Sequence, residues 1–485
     1  MAISYNDLLS FVQHFAPTWR KIQHVNLALL LSSLLECQTL CLSDLARAYP
    51  SPTQPLHGRL KRLMCFLDNP NLDEAALFLR FLKLAYRFGE NLPNAHTILP
   101  IIIDTTYFGP FALLVASVPC GSRALPVAFT TYHRRQLKAC FPPKHSRPRP
   151  NENPFPLRPE REHRNPPSAS LPTSFPSQNQ IEEELIDYLF DLISSALRPV
   201  LVADCGFARA SLFLSLQAKG RDFVIRVDAQ THVHIQSDDG QYVEKELSSL
   251  IKLQPGERKW YPNAFYTRDQ KVAVNILAVW DKGQREPWYL ATSLRDPAQV
   301  ESMYRWRMRL ECTNRDKKTG VLLRRSGDKH AIRSLMHMHR LLLVLAVAEW
   351  LCALTGLEAH RELSASDEDD GSSESMHMPN KEQQKENKTN EDGPSLPPPV
   401  VPHRGARSRL PNWKRPFAVR GDLSYVRVGF EVLRTAGFVE IVRRLLCWLE
   451  DYLWLWTPPW RPYQIRYRLK HWWHAEEKQR AAVLA

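Results

Sequence analysis

The chain has 485 residues, a formal net charge of +13 and nine cysteines. That length allows more than one hydrophobic core, roughly two to four domains, and the basic balance favours a polyanionic partner, nucleic acid ahead of an anionic membrane. The cysteines are scattered, odd in number and without a Cys-x2-Cys pair, which excludes a disulfide scaffold and a zinc ribbon and suits a reducing cytosol. The first residues have no basic start, apolar run and small-residue cleavage site, so no secretory signal is expected.

Residues 1–95 read as a helical region. Leu27, Leu30, Leu31, Leu34 and Leu35 recur at helical spacing, and Ser43 is the expected N-cap of the following short helix. A break at 50–55 precedes a second helix, His57 to Leu67, with Arg59, Lys61 and Arg62 outward and Leu60, Leu63 and Phe66 inward. Two short helices with a basic second member suit a DNA-end-binding helix-turn-helix; a plain helical bundle fits equally.

Residues 96–228 read as the first part of an α/β core. Ile98 to Asp104 is β-branched and ends on a carboxylate, and two further runs, Phe111 to Val118 and Ala124 to Tyr132, follow turn signals, which predicts an antiparallel meander. Residues 138–180 are rich in Pro, Arg, Asn and Ser and carry Lys138, Lys144, Arg147, Arg149, Arg158, Arg161 and Arg164. A mobile basic loop able to contact phosphates is expected there, with an inert spacer as the alternative. An amphipathic helix follows over 181–197, then a strand from Pro199 to Asp204, again closing on a carboxylate. A helix to about Gly220 and a strand over Asp222–Val227 complete this part.

Short alternating runs over 229–295 predict a β-rich insertion. Residues 296–360 hold a polar helix after Pro297 and a long apolar one. Its segment Leu341 to Leu357 has Glu349 at the middle, which points to a buried core helix rather than a membrane span. Residues 361–412 read as a disordered linker. Residues 413–485 read as a helical C-terminal region dense in Trp448, Trp454, Trp456, Trp460, Arg461, Arg466, Arg468, Trp472 and Trp473. That pattern suits either nucleic-acid contact or a core with snorkelling arginines.

The stretch from Tyr304 to Lys318 organises the rest. Taken as a helix, it sets Tyr304, Arg307, Glu311 and Lys318 at about 0, 300, 340 and 320 degrees around the axis, on one narrow face. Asp104 and Asp204 each close a run apolar on both faces, the mark of a central strand under helices, and ligands of open α/β sheets sit beyond such strand ends. If the strands are neighbours, both carboxylates meet at one edge and Glu311 reaches them from the helix. Three converging carboxylates repel one another unless a cation is present. Mg²⁺ or Mn²⁺, expected as two ions about 3.5–4 Å apart, would resolve that conflict and support phosphodiester chemistry.

The spacing Tyr-x2-Arg-x3-Glu-x6-Lys resembles the signature of bacterial insertion-sequence transposases of the DDE class, in the family known by its Tyr-Arg-Glu-Lys motif. The resemblance covers roughly residues 98–320. It implies an RNase-H-like, retroviral-integrase-like fold: a mixed sheet flanked by helices, with the β-rich insertion between the second and third acidic residues. It implies Asp104, Asp204 and Glu311 as catalytic residues and ligands of Mg²⁺, with Mn²⁺ as substitute. Tyr304, Arg307 and Lys318 then grip the DNA backbone, and Trp288, with Trp280 behind it, stacks on a flipped base. The implied activity is cutting and joining of the ends of the protein's own mobile element by metal-dependent hydrolysis and strand transfer. Its implied partners are double-stranded DNA, as terminal inverted repeats and target, and a second copy of the chain; its place is the nucleoid in the cytoplasm. The alternatives are an inactive, domesticated DNA-binding derivative and a simple RNase-H-like nuclease.

Overall fold

The computed structural model describes residues 5–50, 54–89, 98–120, 123–133, 177–193, 197–236, 240–267, 272–319, 334–370 and 425–434. Five helices come first: α1 Tyr5–Phe15, α2 Lys21–Cys37, α3 Leu42–Ala48, α4 Leu56–Leu67 and α5 Glu74–Gly89. Helix α2 is buried along most of its surface, and its inward Ser33 returns its hydroxyl to the Leu29 carbonyl at 2.9 Å, so no polar group is left unmet there. Helix α3 starts one residue before the expected cap. Cys41 is its N-cap, its carbonyl accepting from Asp44 and Leu45, while the Ser43 hydroxyl lies 3.1 Å from the Cys41 sulfur.

The meander forms as β1 Ile98–Phe108, β2 Phe111–Cys120 and β3 Arg123–His133. Gly109 supplies the left-handed backbone, φ +57°, that the β1–β2 turn requires. Strand β1 does not stop at Asp104, because Asp104 through Phe108 continue to pair with β2. What ends near Asp104 is the parallel ladder to β4 (Arg198–Ala203), whose last pair is Ile102 with Val202. Helix α6, Gln178–Leu192, leads into β4 and begins on a reciprocal cap in which the Ser177 hydroxyl accepts from Gln180 N–H and the Gln180 side chain accepts from Ser177 N–H. After β4 come a short 3₁₀ turn over Cys205–Phe207, helix α7 Ala210–Ala218 and strand β5 Asp222–Val227, parallel to β4.

The remaining strands are β6 His232–Gln236, β7 Tyr242–Glu246, β8 Arg258–Tyr266, β9 Val272–Val279 and β10 Trp288–Thr292, with a one-turn helix α8 Leu247–Leu250 after β7. These strands, within the expected β-rich insertion, extend the central sheet. Strand β10 pairs antiparallel with β5, and the result is one ten-stranded sheet in the order β3-β2-β1-β4-β5-β10-β9-β8-β6-β7. Its first half, an antiparallel meander joined to two parallel strands, is the RNase-H-like arrangement.

Helix α9, Pro297–Thr319, crosses the face of β3, β2, β1, β4 and β5. It also covers the edge of β3. The outward N–H of Ala124 donates to the Thr313 hydroxyl, which lies 3.0 Å from the Ala124 carbonyl as well. The next outward residue is Pro126, which has no N–H to satisfy, and its carbonyl accepts from Trp350 Nε1 at 2.7 Å. Trp350 belongs to helix α10, Leu335–Asp370, and its ring stacks on Phe81 of α5 at 5.9 Å.

The part of α10 over Leu335–Ala359 is long and apolar enough to cross a membrane, with mean hydropathy 1.9, yet 89% of that window is buried inside the protein. It is packed as a core helix. It also carries His339 and Arg340, which meet Glu74 of α5; His339 Nε2 lies 2.9 Å from the carboxylate and Nδ1 lies 2.9 Å from the Thr131 hydroxyl of β3. Helix α10 continues to Asp370, past the expected start of the linker at 361. A last helix, α11 Tyr425–Arg434, lies so close to α10 that any side chain at Gly429 would run into the Cys352 carbonyl. Of the basic loop expected over 138–180, residues 138–176 lie outside the described residues, while Ser177 to Gln180 are instead the cap and first turn of α6; the aromatic, basic segment after 434 also lies outside them.

Candidate active site

Asp104 and Asp204 are brought together by strand register. The β1–β4 ladder pairs Ile102 with Val202, and two further steps along both strands set Asp104 level with Asp204 on the same face. Asp204 is the first residue after β4, where the chain turns, and its Oδ1 accepts from the Cys205 N–H at 2.8 Å. That local bond fixes the carboxylate at the strand end.

Helix α9 supplies the rest. Arg307 reaches down with a side chain only 8% exposed; Nη2 donates to Asp204 Oδ2 at 2.8 Å and Nη1 to Glu311 Oε1 at 2.6 Å. The Tyr304 hydroxyl lies 3.5 Å from Asp204 Oδ1, and burial pushes its ionisation well above the usual phenol range, which keeps it a neutral donor. Asn314 donates from Nδ2 to Asp104 Oδ2 at 3.2 Å. Burial raises the Asp104 carboxyl above its ordinary range, partly offset by Arg307, and the neighbouring Asp204 and Glu311 carboxylates add to the rise.

The three acidic residues thus surround one guanidinium. Among the described residues, no group of three or more His, Cys, Asp or Glu side chains is arranged to hold a metal ion; Arg307 bonds one oxygen each of Asp204 and Glu311. The donor set itself is all oxygen and suits a hard divalent cation. Asn314 Oδ1, beside Asp104, is buried without a hydrogen-bond partner; it is a further oxygen that an ion or its water would satisfy. By chemistry, these residues fit a divalent ion.

Of the other residues singled out, Trp288 on β10 is buried, with its ring edge-on to Tyr304 at 5.0 Å and the Arg305 guanidinium 5.8 Å from its centre. The Arg305 guanidinium over its ring is itself paired with Glu301 and Asp281. Trp280 is half-buried and donates from Nε1 to the Gln284 carbonyl at 3.0 Å. Tyr304 is fully buried at the carboxylate cluster rather than displayed on the surface. Lys318 lies on α9, and its side chain is outside the described residues.

Two neighbours escaped the sequence reading. Asn314 follows Tyr304 by ten residues, about 280 degrees around the helix, so the same arithmetic that grouped the other four would have found it. Arg226 on β5 lies near Asp204, each one residue past the last β4–β5 pair, Ala203 with Ile225, and its charge acts on Asp204; its Nη2 bonds Glu286 at 2.6 Å. No local pattern marks it, since only the strand pairing brings it there.

A mixed ten-stranded sheet with a helix-borne Arg and Glu over one aspartate within β1 and another just past the end of β4 is an RNase-H-like arrangement. Residues 177–345 match the family model for the transposase DDE domain. That match covers about a third of the chain. The matched span contains Asp204, Trp288, Tyr304, Arg307, Glu311 and Lys318, and it begins after Asp104. No curated protein matches the chain.

Proposed function

We propose that this protein is a cut-and-paste transposase of the insertion-sequence type with the Tyr-Arg-Glu-Lys signature. It binds the terminal inverted repeats of its own element as a homodimer on paired ends, cleaves them and joins them to target DNA. The observation that carries this reading is the gathering of Asp104, Asp204 and Glu311 around a single buried arginine, within a chain that matches a transposase DDE domain.

Asp104, Asp204 and Glu311 would hold Mg²⁺, with Mn²⁺ as substitute, in a pair of sites. The metal, when bound, supplies Lewis acidity for attack of water or a 3′-hydroxyl on a phosphodiester. The other residues then act by position. Asn314 fixes the rotamer of Asp104 through its amide N–H, and the Cys205 N–H fixes that of Asp204. Tyr304 brings a neutral hydroxyl, and Arg307 and Arg226 bring positive charge, to the place where phosphate oxygens would lie. Oriented this way, the scissile phosphate would need little reorganisation before reaction.

The test is a cleavage assay with labelled DNA from the borders of the protein's own gene, with Mg²⁺ or Mn²⁺, comparing the wild type with Glu311→Gln. Metal-dependent nicks at a fixed border position, absent in the variant, are the expected result. Specific binding with no cut by the wild type would replace this reading with that of a domesticated DNA-binding protein. Normal cutting by Glu311→Gln, or by Asp104→Ala or Asp204→Ala, would sink the metal-site assignment.

A further inference from the structure

We infer that Arg307 is an internal stand-in for the metal: it holds Asp204 and Glu311 in the metal-free protein, must leave them before an ion can bind, and is drawn away by a DNA phosphate. This rests on the metal-site reading proposed above. It adds that ion uptake and DNA binding are coupled through one side chain.

The geometry carries the argument. The two nitrogens of the guanidinium fork each bond a different carboxylate, at 2.8 and 2.6 Å. Asp204 Oδ1 already accepts from the Cys205 N–H, so Arg307 occupies the other oxygen of that carboxylate and one of Glu311, and a guanidinium and a divalent cation crowding the same two carboxylates repel each other. Arg307 therefore competes with the metal for one set of ligands. The competition is not one-sided. Arg307 is 6% exposed and its third nitrogen, Nε, is buried with no partner, so its donors are not fully met where it sits.

Once an ion takes the carboxylates, Arg307 loses both of its anions. A buried arginine without an anionic partner is costly. Its fork matches a phosphodiester, which offers two oxygens in the same plane as a carboxylate does. The site is open enough for one to arrive, since the Glu311 side chain is 42% exposed and that of Asp204 is 30% exposed. A phosphate that captures Arg307 frees the carboxylates for the metal, and a metal that captures the carboxylates frees Arg307 for the phosphate. Each ligand thus raises the affinity for the other by the same factor.

The test is Mn²⁺ binding to the full-length protein, followed by the electron paramagnetic resonance signal of the free ion. In the absence of DNA, Arg307→Met is expected to bind Mn²⁺ at least about tenfold more tightly than the wild type, a difference of about 1.4 kcal/mol. Arg307→Lys, which keeps the charge but not the fork, is expected to fall between them. It carries the test alone if circular dichroism shows the methionine variant to be unfolded. Addition of a short random-sequence duplex, with the uptake of duplex alone subtracted, is expected to tighten Mn²⁺ binding in the wild type and not in Arg307→Met. Affinity in the folded Arg307 variants equal to or weaker than that of the wild type would overturn the exchange while leaving the proposed function intact. Mn²⁺ uptake that is absent in every protein, or unchanged by Asp104→Asn and Glu311→Gln, would overturn the metal site and the exchange together.

Discussion

Glu74 is the test of how the helical N-terminal region is joined to the sheet. It sits on α5 and faces Arg340 and His339 of α10, while His339 also reaches Thr131 of β3. Burial alone would raise its carboxyl, but Arg340 and then His339 outweigh it and hold the group at about 2, against an ordinary 4.5. The folded state therefore binds its proton more weakly than the unfolded chain does. The stabilisation is complete above the unfolded value near 4.5 and is lost as pH falls through about 2. At about 1.4 kcal/mol per unit, the difference corresponds to about 3 kcal/mol at neutral pH. Urea unfolding of Glu74→Gln, measured at pH 7 and again at pH 3, should show a clear loss against the wild type at pH 7. That gap should shrink as the pH falls. Because removing one member of a buried ion group strands the others, the loss at pH 7 is expected at about 3–5 kcal/mol. A gap of constant size from pH 7 to pH 3 would refute the argument, since it would mean that the Glu74 charge contributes nothing to the difference.

Two further outcomes are expected from the site and its support. Asn314→Leu should leave the melting temperature nearly unchanged but lower metal-dependent cleavage by about 10–100-fold, as loss of a group that orients a metal ligand does; unchanged cleavage kinetics would remove Asn314 from the site. Thr313→Val keeps the shape but strands both edge groups of Ala124, and chemical denaturation should report a loss of about 1–3 kcal/mol; equal stability would show that the hydroxyl is dispensable to the edge.

Much of the site was legible in the sequence, and the reasons are local. Asp104 and Asp204 stand out because each follows a run of residues apolar on both faces, and that pattern survives whatever the strands pair with. The helix face of Tyr304, Arg307 and Glu311 follows from rotation per residue alone. Depth does not. Rotation says that Tyr304 shares a face with Arg307, but not that Tyr304 is buried against Trp288 of β10. The end of β1 was misjudged for a related reason: Asp104 looks like a terminus, yet its strand is prolonged by β2, a partner the local sequence does not reveal. The pairing of β10 with β5 spans some sixty residues of intervening chain, as in Tyr289 with Val227. Hydrophobic alternation could announce the strands of 229–295 but not that they belong to the central sheet.

The two margins of that sheet differ in kind, and this bears on how such a protein can change over generations. At β3, the outward backbone groups of Ala124 and Pro126 are engaged by Thr313 and Trp350, and Thr313 rides on the helix that carries Glu311 two residues away. A newcomer strand at that margin would have to dislodge the helix and with it an acidic residue of the site. At the far margin, among the described residues, β7 pairs only with β6 and carries Glu244, Lys245 and Glu246. Lengthening, loss or replacement of strands there leaves β1, β4 and α9 where they are. The architecture is thus free to diversify on one flank, and lineages descended from it should differ most in the number and length of strands beyond β10 while keeping the β3 side nearly constant in outline.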